Sequence, residues 1–184
     1  MVRLAKLEDL DEIMKIYEYA RNYMKEHGNP TQWGENRPSR DTIEKDIKNQ
    51  NAYVLYDGNE LYGIFSLIYG DDETYENIYE GSWISNTPYA TFHRIASKGT
   101  KKGVFKECVA FGKEKYSHLR IDTHENNKIM QNSILNQGFK YCGIIYVLDG
   151  SSRLAYEYVN IWFLYIRNWK DHGQCNSIKV MFYS

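Results

Sequence analysis

Cysteine is scarce in this chain, and its spacing fits neither of its usual structural uses. Cys108, Cys142 and Cys175 are too far apart for a Cys-x-x-Cys metal site and too few for a disulfide scaffold. We interpret them as small buried hydrophobic residues rather than nucleophiles. No set of His, Cys, Asp and Glu residues has the spacing of metal ligands either, so we expect no metal. These features predict a protein of a reducing compartment, the cytoplasm.

The sequence also lacks an excess of charge of one sign and a long hydrophobic run. Its 23 Lys and Arg residues balance 24 Asp and Glu residues, which is not the composition of a protein that coats nucleic acid. The longest strongly apolar run, residues 161–166, is far shorter than the roughly 20 residues of a transmembrane helix. The first residues lack the apolar stretch of a signal peptide. We therefore expect neither nucleic acid nor a membrane as a partner.

Tyrosine is abundant, with 17 residues, which predicts half-buried side chains around a ligand cleft or an interface. The length of 184 residues favours a single domain. Apolar periodicity predicts helices that begin near residues 10, 39, 104 and 126, the first of them with a capping box at Asp9 and Glu12. It predicts strands at residues 2–5, 52–56, 61–69, 90–97, 119–123, 139–148 and 154–158.

A basic segment with two glycines joins the predicted strand at residues 90–97 to the helix that begins near residue 104. It reads KGTKKGV and covers residues 98–104. Free N–H groups and the positive end of the helix dipole attract phosphate oxygens at such a junction. The segment is neither a Walker loop nor a Gly-x-Gly-x-x-Gly motif. It is therefore either an anion-binding loop or a basic turn on the surface.

Three motifs in the second half of the chain together resemble the GNAT superfamily of N-acetyltransferases. They are the strand sequence HRIAS at residues 93–97, the basic loop at residues 98–104, and the helix motif at residues 127–139, which starts with Asn and ends with Gly-Phe. The order of elements from residue 3 to about residue 158 also matches that family. The resemblance implies an α/β fold (α+β by some schemes): a mixed, centrally parallel sheet with helices on both faces.

The resemblance also implies that the chain is an acetyl-CoA-dependent N-acetyltransferase. In such a fold the strand at residues 90–97 splays from its neighbour, and the pantetheine arm of acetyl-CoA enters the gap. A helix N-terminus suits the pyrophosphate, and an open strand edge suits the amide-bearing arm. The implied cofactor-binding residues are Ile95, Ala96 and Ser97 for the arm, Thr100, Lys101, Lys102, Gly103, Val104 and Phe105 for the pyrophosphate, and Asn127 from the next helix.

Three positions depart from the family pattern. Thr100 stands where the loop usually has Arg or Gln, and Phe105 stands where it has a small residue. Ile134 occupies the helix position where the family often has a tyrosine that protonates the departing thiolate. A coenzyme A-binding module with little or no turnover is therefore the alternative function. A structural or interaction domain that keeps only the fold is a third possibility.

Acetylation of an amine requires its unprotonated form, whereas a lysine-like ammonium has a pKa of about 10.4, so a base or a water relay must help. Asp122 is the first candidate, because strand alternation puts Arg120, Asp122 and His124 on one face. The alternative is an ion pair of Asp122 with Arg94 or Arg120. His124 could relay protons near neutral pH or cap the next helix. Glu80 is a third candidate, or a solvated loop charge.

Three more residues are candidates for the acceptor site, where we expect an amine of a small molecule or a peptide to attack the acetyl group directly. Trp33 and Trp83 line the acceptor cleft or pack in the core. Arg94 contacts the acceptor or neutralises a buried carboxylate, because an unpaired buried charge is costly. The family varies its acceptor on one scaffold, so the fold does not fix the substrate.

Residues 159–184 lie beyond the resemblance, which assigns residues 1–158 to one acetyltransferase domain. This extension is rich in aromatic residues. We predict that it forms a hairpin or strand that covers an open sheet edge, on the same chain or on a second copy in a homodimer. The alternative is a poorly ordered extension.

Overall fold

The computed structural model describes residues 1–160, and in them it contains a seven-stranded sheet. The strands are β1 (Val2–Leu4), β2 (Ala52–Asp57), β3 (Glu60–Tyr69), β4 (Ala90–Ser97), β5 (His118–Thr123), β6 (Lys140–Tyr146) and β7 (Ser152–Val159). The helices are α1 (Leu10–Glu26), α2 (Arg40–Lys48), α3 (Val104–Lys115) and α4 (Lys128–Asn136). The predicted edge hairpin of the C-terminal extension falls on residues 161–184, outside the described residues.

The strand order is β1-β2-β3-β4-β5-β7-β6, and β4 with β5 forms the parallel pair at the centre. The other neighbouring strands pair antiparallel. Strand β4 connects to β5 through α3, as a parallel pair requires. This mixed α/β architecture with a parallel centre confirms the fold class predicted from the sequence.

Two apolar clusters show that the sheet is covered on both faces. One is formed by α1 and α2 against β2 and β3, with Ile13, Ile43 and Ile64 fully buried. The other is formed by α3 and α4 against the central strands, where Cys108 and Ile134 are fully buried. Burying such side chains stabilises the fold by about 1.5 to 3 kcal/mol each.

The helix starts show where local sequence signals succeed and where they fail. Helix α2 begins after Ser39, whose hydroxyl accepts a hydrogen bond from the N–H of Thr42, as expected of an N-cap residue. The predicted capping box at Asp9 and Glu12 is wrong. A 3₁₀ turn at Leu7–Asp9 precedes α1, and Asp9 instead accepts from the N–H of Lys6. Its carboxylate also pairs with Arg3 in β1, so a tertiary partner decides its role.

Strands β4 and β5 separate soon after they meet. Their register covers only Ala90 to Phe92 on β4 and Leu119 to Ile121 on β5. Beyond it, Arg94 adopts a left-handed φ of 54° beside an irregularity in the pairing of β3 with β4. Such a conformation is strained for a residue other than glycine and persists only where its surroundings hold it. Tyr17 donates a hydrogen bond to the Arg94 carbonyl at 2.8 Å and so helps to hold it.

None of the helices within residues 1–160 combines the length and the apolar character needed to cross a membrane. No group of three or more His, Cys, Asp or Glu side chains in that range is arranged to hold a metal ion.

Candidate active site

A cavity of about 890 Å³ opens where β4 and β5 separate. Its walls are α1 with the segment that follows it, the second half of β4, the end of β5 and the first turns of α4. This volume is within the range of small-molecule and cofactor sites. The residues predicted for the site that line it are Trp33, Arg94, Ile95, Ala96, Ser97, Phe105, Asp122 and Asn127.

The basic loop runs from β4 to the first residue of α3. Gly103, the residue before α3, has a left-handed φ of 81°, which glycine adopts without steric penalty. The first N–H groups of α3 have no partner within the helix. Thr100, Lys101 and Lys102 are exposed, and Lys101 pairs with Asp57. Residues 100–104 thus stand beside the cavity rather than among the residues that line it.

Gly99 at the start of this loop is restricted by a tyrosine of α1. Its φ is 79°, and its N–H donates to the Ser97 hydroxyl at 3.1 Å. A Cβ at this position would lie 2.2 Å from the hydroxyl oxygen of Tyr19. Glycine allows the left-handed backbone conformation here, and a Cβ at this position would require the exposed Tyr19 side chain to move.

Buried polar atoms without a partner show that the cavity suits a polar ligand. Thr123 Oγ1 and Asn29 Oδ1 are buried, and neither has a hydrogen-bond partner within the described part of the chain. Both residues line the cavity. Leaving such an atom unsatisfied costs about 1 to 3 kcal/mol, so a ligand that supplies N–H or O–H groups gains by filling the site. The amide-bearing arm of acetyl-CoA fits this requirement.

Asn127 has a local role beside its predicted cofactor contact. It is the N-cap of α4, and its Oδ1 accepts from the N–H of Met130 at 3.1 Å. Its Nδ2 donates to Gln32 Oε1 at 3.1 Å, and Asn29 Nδ2 donates to the same oxygen at 2.7 Å. This amide cluster links the segment after α1 to α4 across the cavity. Asn29 and Gln32 were not predicted as site residues, because their role depends on this long-range contact.

Asp122 stands at the end of β5 with both carboxylate oxygens next to polar groups. Oδ1 accepts a hydrogen bond from the Tyr75 hydroxyl at 2.5 Å, and Oδ2 lies 3.7 Å from Arg153 Nε. Burial and the neighbouring Asp122 raise the pKa of Tyr75 well above its usual value, so the hydroxyl keeps its proton. The suggested ion pairs of Asp122 with Arg94 or Arg120 are wrong.

The two arginines have other partners. Arg94 pairs with the buried Asp46 at 2.7 Å, so it neutralises a buried carboxylate, as the second interpretation of this residue proposed. Arg120 pairs with Glu157 at 3.1 Å. Arg94 also lines the cavity, and a contact with the acceptor stays a prediction.

A histidine and an aspartate that sequence reasoning did not single out meet at the cavity. His93 of β4 lines it, and its Nε2 lies 3.0 Å from Asp72 Oδ2. Burial raises the pKa of Asp72, but the contact with His93 and the hydrogen bonds with Thr74 outweigh it and lower the pKa to about 2. Asp72 is therefore a carboxylate at neutral pH.

Besides residues 100–104, three more residues predicted for the site do not line the cavity. His124 Nδ1 accepts from the N–H of Asn126 at 3.2 Å, and burial lowers its pKa. Glu80 is exposed, in the segment that bridges to β6 through Tyr79. Trp83 stacks on Tyr75 and donates to its carbonyl at 3.0 Å, so it supports the partner of Asp122.

A GNAT-family acetyltransferase structure from Streptococcus agalactiae 2603 is similar to this chain in both fold and sequence. The two are 36% identical, and the match covers 86% of this chain and 94% of that chain with a TM-score of 0.77. This chain belongs to the GNAT family of acetyltransferases. Membership of the family implies acetyl-CoA-dependent acetyl transfer and confirms the resemblance found in the sequence.

More distant GNAT-fold structures show the fold alone. The GNAT-family acetyltransferase from Listeria monocytogenes 4b F2365 is 19% identical, with a TM-score of 0.65 and coverage of 86% of this chain and 94% of that chain. The yncA structure from Salmonella typhimurium, solved with its cofactor acetyl-CoA, is 12% identical, with a TM-score of 0.58 and coverage of 87% and 93%. No family model and no curated protein matches the sequence.

Proposed function

We propose that this GNAT protein transfers the acetyl group of acetyl-CoA to an amine of a small molecule or a peptide by direct attack. The observation that carries the proposal is the cavity between β4 and β5. It combines an unpaired strand edge with buried polar atoms that lack partners and with the carboxylate of Asp122. This set of groups suits an amide-bearing donor on one side and a cationic amine on the other.

The donor side is formed by β4 and the start of α3. The main-chain groups of Ile95, Ala96 and Ser97 lie beyond the last pair that β4 makes with β5, so they are free on that edge to bind an extended arm. The N–H groups at the start of α3 would hold the pyrophosphate. Acetyl-CoA supplies an acetyl thioester when bound. Asn127, fixed by Gln32, faces the same cavity.

The acceptor side is formed by Asp122, Arg94 and Trp33. The Asp122 carboxylate attracts the ammonium form of the acceptor into the cavity, and the first proton of that ammonium passes to a base or a water relay in the cavity. The free amine nitrogen then forms a bond to the acetyl carbonyl carbon. The carbon–sulfur bond breaks with its electron pair on sulfur, and the thiolate takes the second proton that the nitrogen loses.

The alternative function is a coenzyme A-binding module that does not turn over. Ile134 belongs to the α3–α4 core, whereas the neighbouring Ser133 lines the cavity. No tyrosine hydroxyl therefore occupies that position of α4. Phe105 lines the cavity and packs on the same core, so its ring narrows the donor side while the backbone N–H groups of the loop stay in place.

Release of the free thiol from acetyl-CoA in the presence of a panel of amines tests the proposal. We expect thiol release that depends on one class of amine, together with acetyl-CoA binding in calorimetry. Binding without thiol release for any small-molecule or peptide amine would favour the non-catalytic alternative. No binding at all would favour a domain that keeps only the fold.

A pair of glycine variants tests the donor side. Gly99→Ala introduces a Cβ that displaces the Tyr19 side chain, which also lines the cavity, so we expect the affinity for acetyl-CoA to fall severalfold. Gly58→Ala is the matched control, because Gly58 also has a positive φ but its Cβ would meet nothing within 4 Å. Both changes carry a backbone penalty of about 1 kcal/mol. Equal affinities of the two variants in calorimetry would contradict a donor site at this loop.

A further inference from the structure

The imidazole of His93 has a carboxylate beside its buried Nε2, in an ion-pair contact rather than an aligned hydrogen bond. Nε2 faces the Asp72 carboxylate at 3.0 Å, and Asp72 Oδ1 is fixed by the N–H and the hydroxyl of Thr74. No hydrogen bond to His93 Nδ1 is found within residues 1–160, and this atom is not among the buried atoms that lack a partner. Nδ1 is therefore accessible, and His93 lines the cavity.

Asp72 is the charged group in direct contact with the His93 ring, because the other neighbours in the described part of the chain are uncharged or lie farther away. Tyr75 contacts the ring edge-on, with ring centroids 6.0 Å apart, and its raised pKa keeps it neutral. Asp122 lies beyond Tyr75 and accepts its hydroxyl. On β3 the residue opposite His93 is Ser66, which is uncharged.

The next residue along β4, Arg94, is also charged. Asp46 neutralises it, and Tyr17 of α1 binds its carbonyl. The positive charge of Arg94 is therefore balanced by Asp46. These contacts leave Asp72 as the group that compensates a positive charge on the ring.

Asp122 is less free than His93 to accept a proton. One of its oxygens already accepts the Tyr75 hydroxyl, and the other faces Arg153. A carboxylate behind a histidine balances the charge that the ring gains when it accepts a proton. The same division of roles, with one nitrogen oriented and the other accepting, is what a general base requires.

We propose that His93 Nδ1 is the general base that takes the proton of the acceptor amine, with Asp72 as the positioning residue that holds the ring in its Nε2–H form. This role rests on the proposed acetyl transfer. One N–H bond of the acceptor ammonium breaks, its electron pair stays on nitrogen, and the proton moves to Nδ1. The imidazolium that results is balanced by the Asp72 carboxylate and later returns the proton to solvent.

Nitrogen NMR of the imidazole tests the arrangement without any substrate. We expect the wild-type protein at neutral pH to show His93 with a protonated Nε2 and an unprotonated Nδ1, the signals being assigned by their loss in His93→Gln. In Asp72→Asn we expect the Nδ1–H form to become populated. A wild-type ring protonated on Nδ1 would overturn the proposal.

The pH dependence of acetyl transfer tests the chemical role. With an acceptor found by thiol release, we expect His93→Gln to lower kcat/KM at pH 7 by about 10²-fold, the size of a general base effect. The loss should shrink as pH rises, because more of the amine is then deprotonated in solution. We expect Asp72→Asn to lower kcat/KM by about tenfold and to change the pH profile. Glu73→Gln, an exposed neighbour, should do neither.

The outcomes separate this role from the proposed function. If the wild-type protein transfers acetyl groups and His93→Gln keeps both its rate and its pH profile, His93 is not the base and the acetyltransferase function stands. If the wild-type protein acetylates no amine, the proposed function fails and the base role fails with it.

Discussion

Two pairs of a histidine and a carboxylate have their histidines on the neighbouring strands β4 and β5 and differ in what surrounds them. His118 and Glu157 join β5 to β7 with Nε2 and Oε1 2.5 Å apart, and their side chains are 1% and 0% exposed. His93 and Asp72 are 3.0 Å apart with side chains 16% and 22% exposed. The chemistry of the two pairs is the same, so exposure and second partners decide what each can do.

The His118 pair is closed because its groups are occupied. His118 Nδ1 lies 2.9 Å from both the carbonyl and the hydroxyl oxygen of Thr87. Glu157 also binds Arg120 and the N–H of Ile84. Burial raises the pKa of Glu157, but these partners and His118 lower it overall. This pair therefore fixes the segment before β4 to the sheet and has no free atom for a substrate.

The largest effect is expected from breaking the closed pair. Glu157→Ala leaves His118 and Arg120 buried without their carboxylate, and removing one partner of a buried ion pair costs about 3 to 5 kcal/mol. At about 2 to 4 °C per kcal/mol, thermal melting should show a fall of roughly 6 to 20 °C. The exposed Glu114→Ala is the control, expected to stay within about 0.5 kcal/mol. A melting temperature of Glu157→Ala equal to that of the control would show that the cluster does not hold the fold.

The second effect is a loss of folding stability at acidic pH. It concerns the more exposed pair, His93 and Asp72, which we call the open pair. The folded pKa of Asp72 is lowered to about 2 from its ordinary 3.8, so its contribution to stability is complete above the unfolded pKa and is lost as pH falls from about 4 to 2. The contribution at neutral pH is about 2 kcal/mol. Asp72→Asn should lose this amount at pH 7 and little at pH 2. Urea unfolding at both pH values checks it, with Glu73→Gln as the control that should match the wild type.

The sequence predicted the elements that local signals define. The bounds of β4 agree with the prediction at both ends, and Ser39 caps α2 as expected. The α1 capping box failed because Arg3 in β1 binds Asp9, a contact that no local pattern contains. Among the candidate site residues, the strand positions at residues 95–97 and Asp122 reach the cavity, because a β-strand edge can be identified from alternation and motif order.

The sequence did not predict the pairs that depend on how a long connection folds. Asp72 lies within the segment between β3 and β4, next to a 3₁₀ turn at Glu73–Tyr75, whereas His93 lies on β4 itself. The ion pairs of Arg94 with Asp46 and of Arg120 with Glu157 join distant elements in the same way. A buried arginine indicates that a carboxylate is near, and it does not indicate which one.

The third effect concerns Asp122, whose role differs from that of the two histidine pairs. Asp122→Asn keeps an oxygen that can accept the Tyr75 hydroxyl but removes the charge that attracts the acceptor ammonium. We expect kcat to fall about tenfold, at the lower edge of general acid–base effects, with the affinity for acetyl-CoA unchanged. Thiol release and calorimetry measure the two quantities, with the exposed Asp71→Asn as the control. A variant that also loses the pH dependence of the rate would transfer the role of the base from His93 to Asp122.

The smallest effect is expected from a change of Trp83, which lies between Arg120, a partner of Glu157, and Tyr75, a neighbour of His93. The Trp83 ring lies 3.9 Å from the Arg120 guanidinium, and it also stacks on Tyr75 with centroids 5.6 Å apart. Trp83→Phe keeps an aromatic face for both neighbours and loses the hydrogen bond to the Tyr75 carbonyl. We expect a loss of stability of about 1 kcal/mol and a change in kcat of less than about threefold.

Tyr69→Phe, which removes a hydroxyl from an exposed ring, is the matched control for this change, and its stability should stay within about 0.5 kcal/mol of the wild type. Urea unfolding and thiol release are measured on both variants. Because Trp83 supports Tyr75, and Tyr75 binds Asp122, a tenfold or greater fall in kcat for Trp83→Phe with unchanged stability would mean that the closed cluster controls the position of Asp122. The cluster around His118 and Glu157 would then contribute to the chemistry through Asp122 as well as to stability.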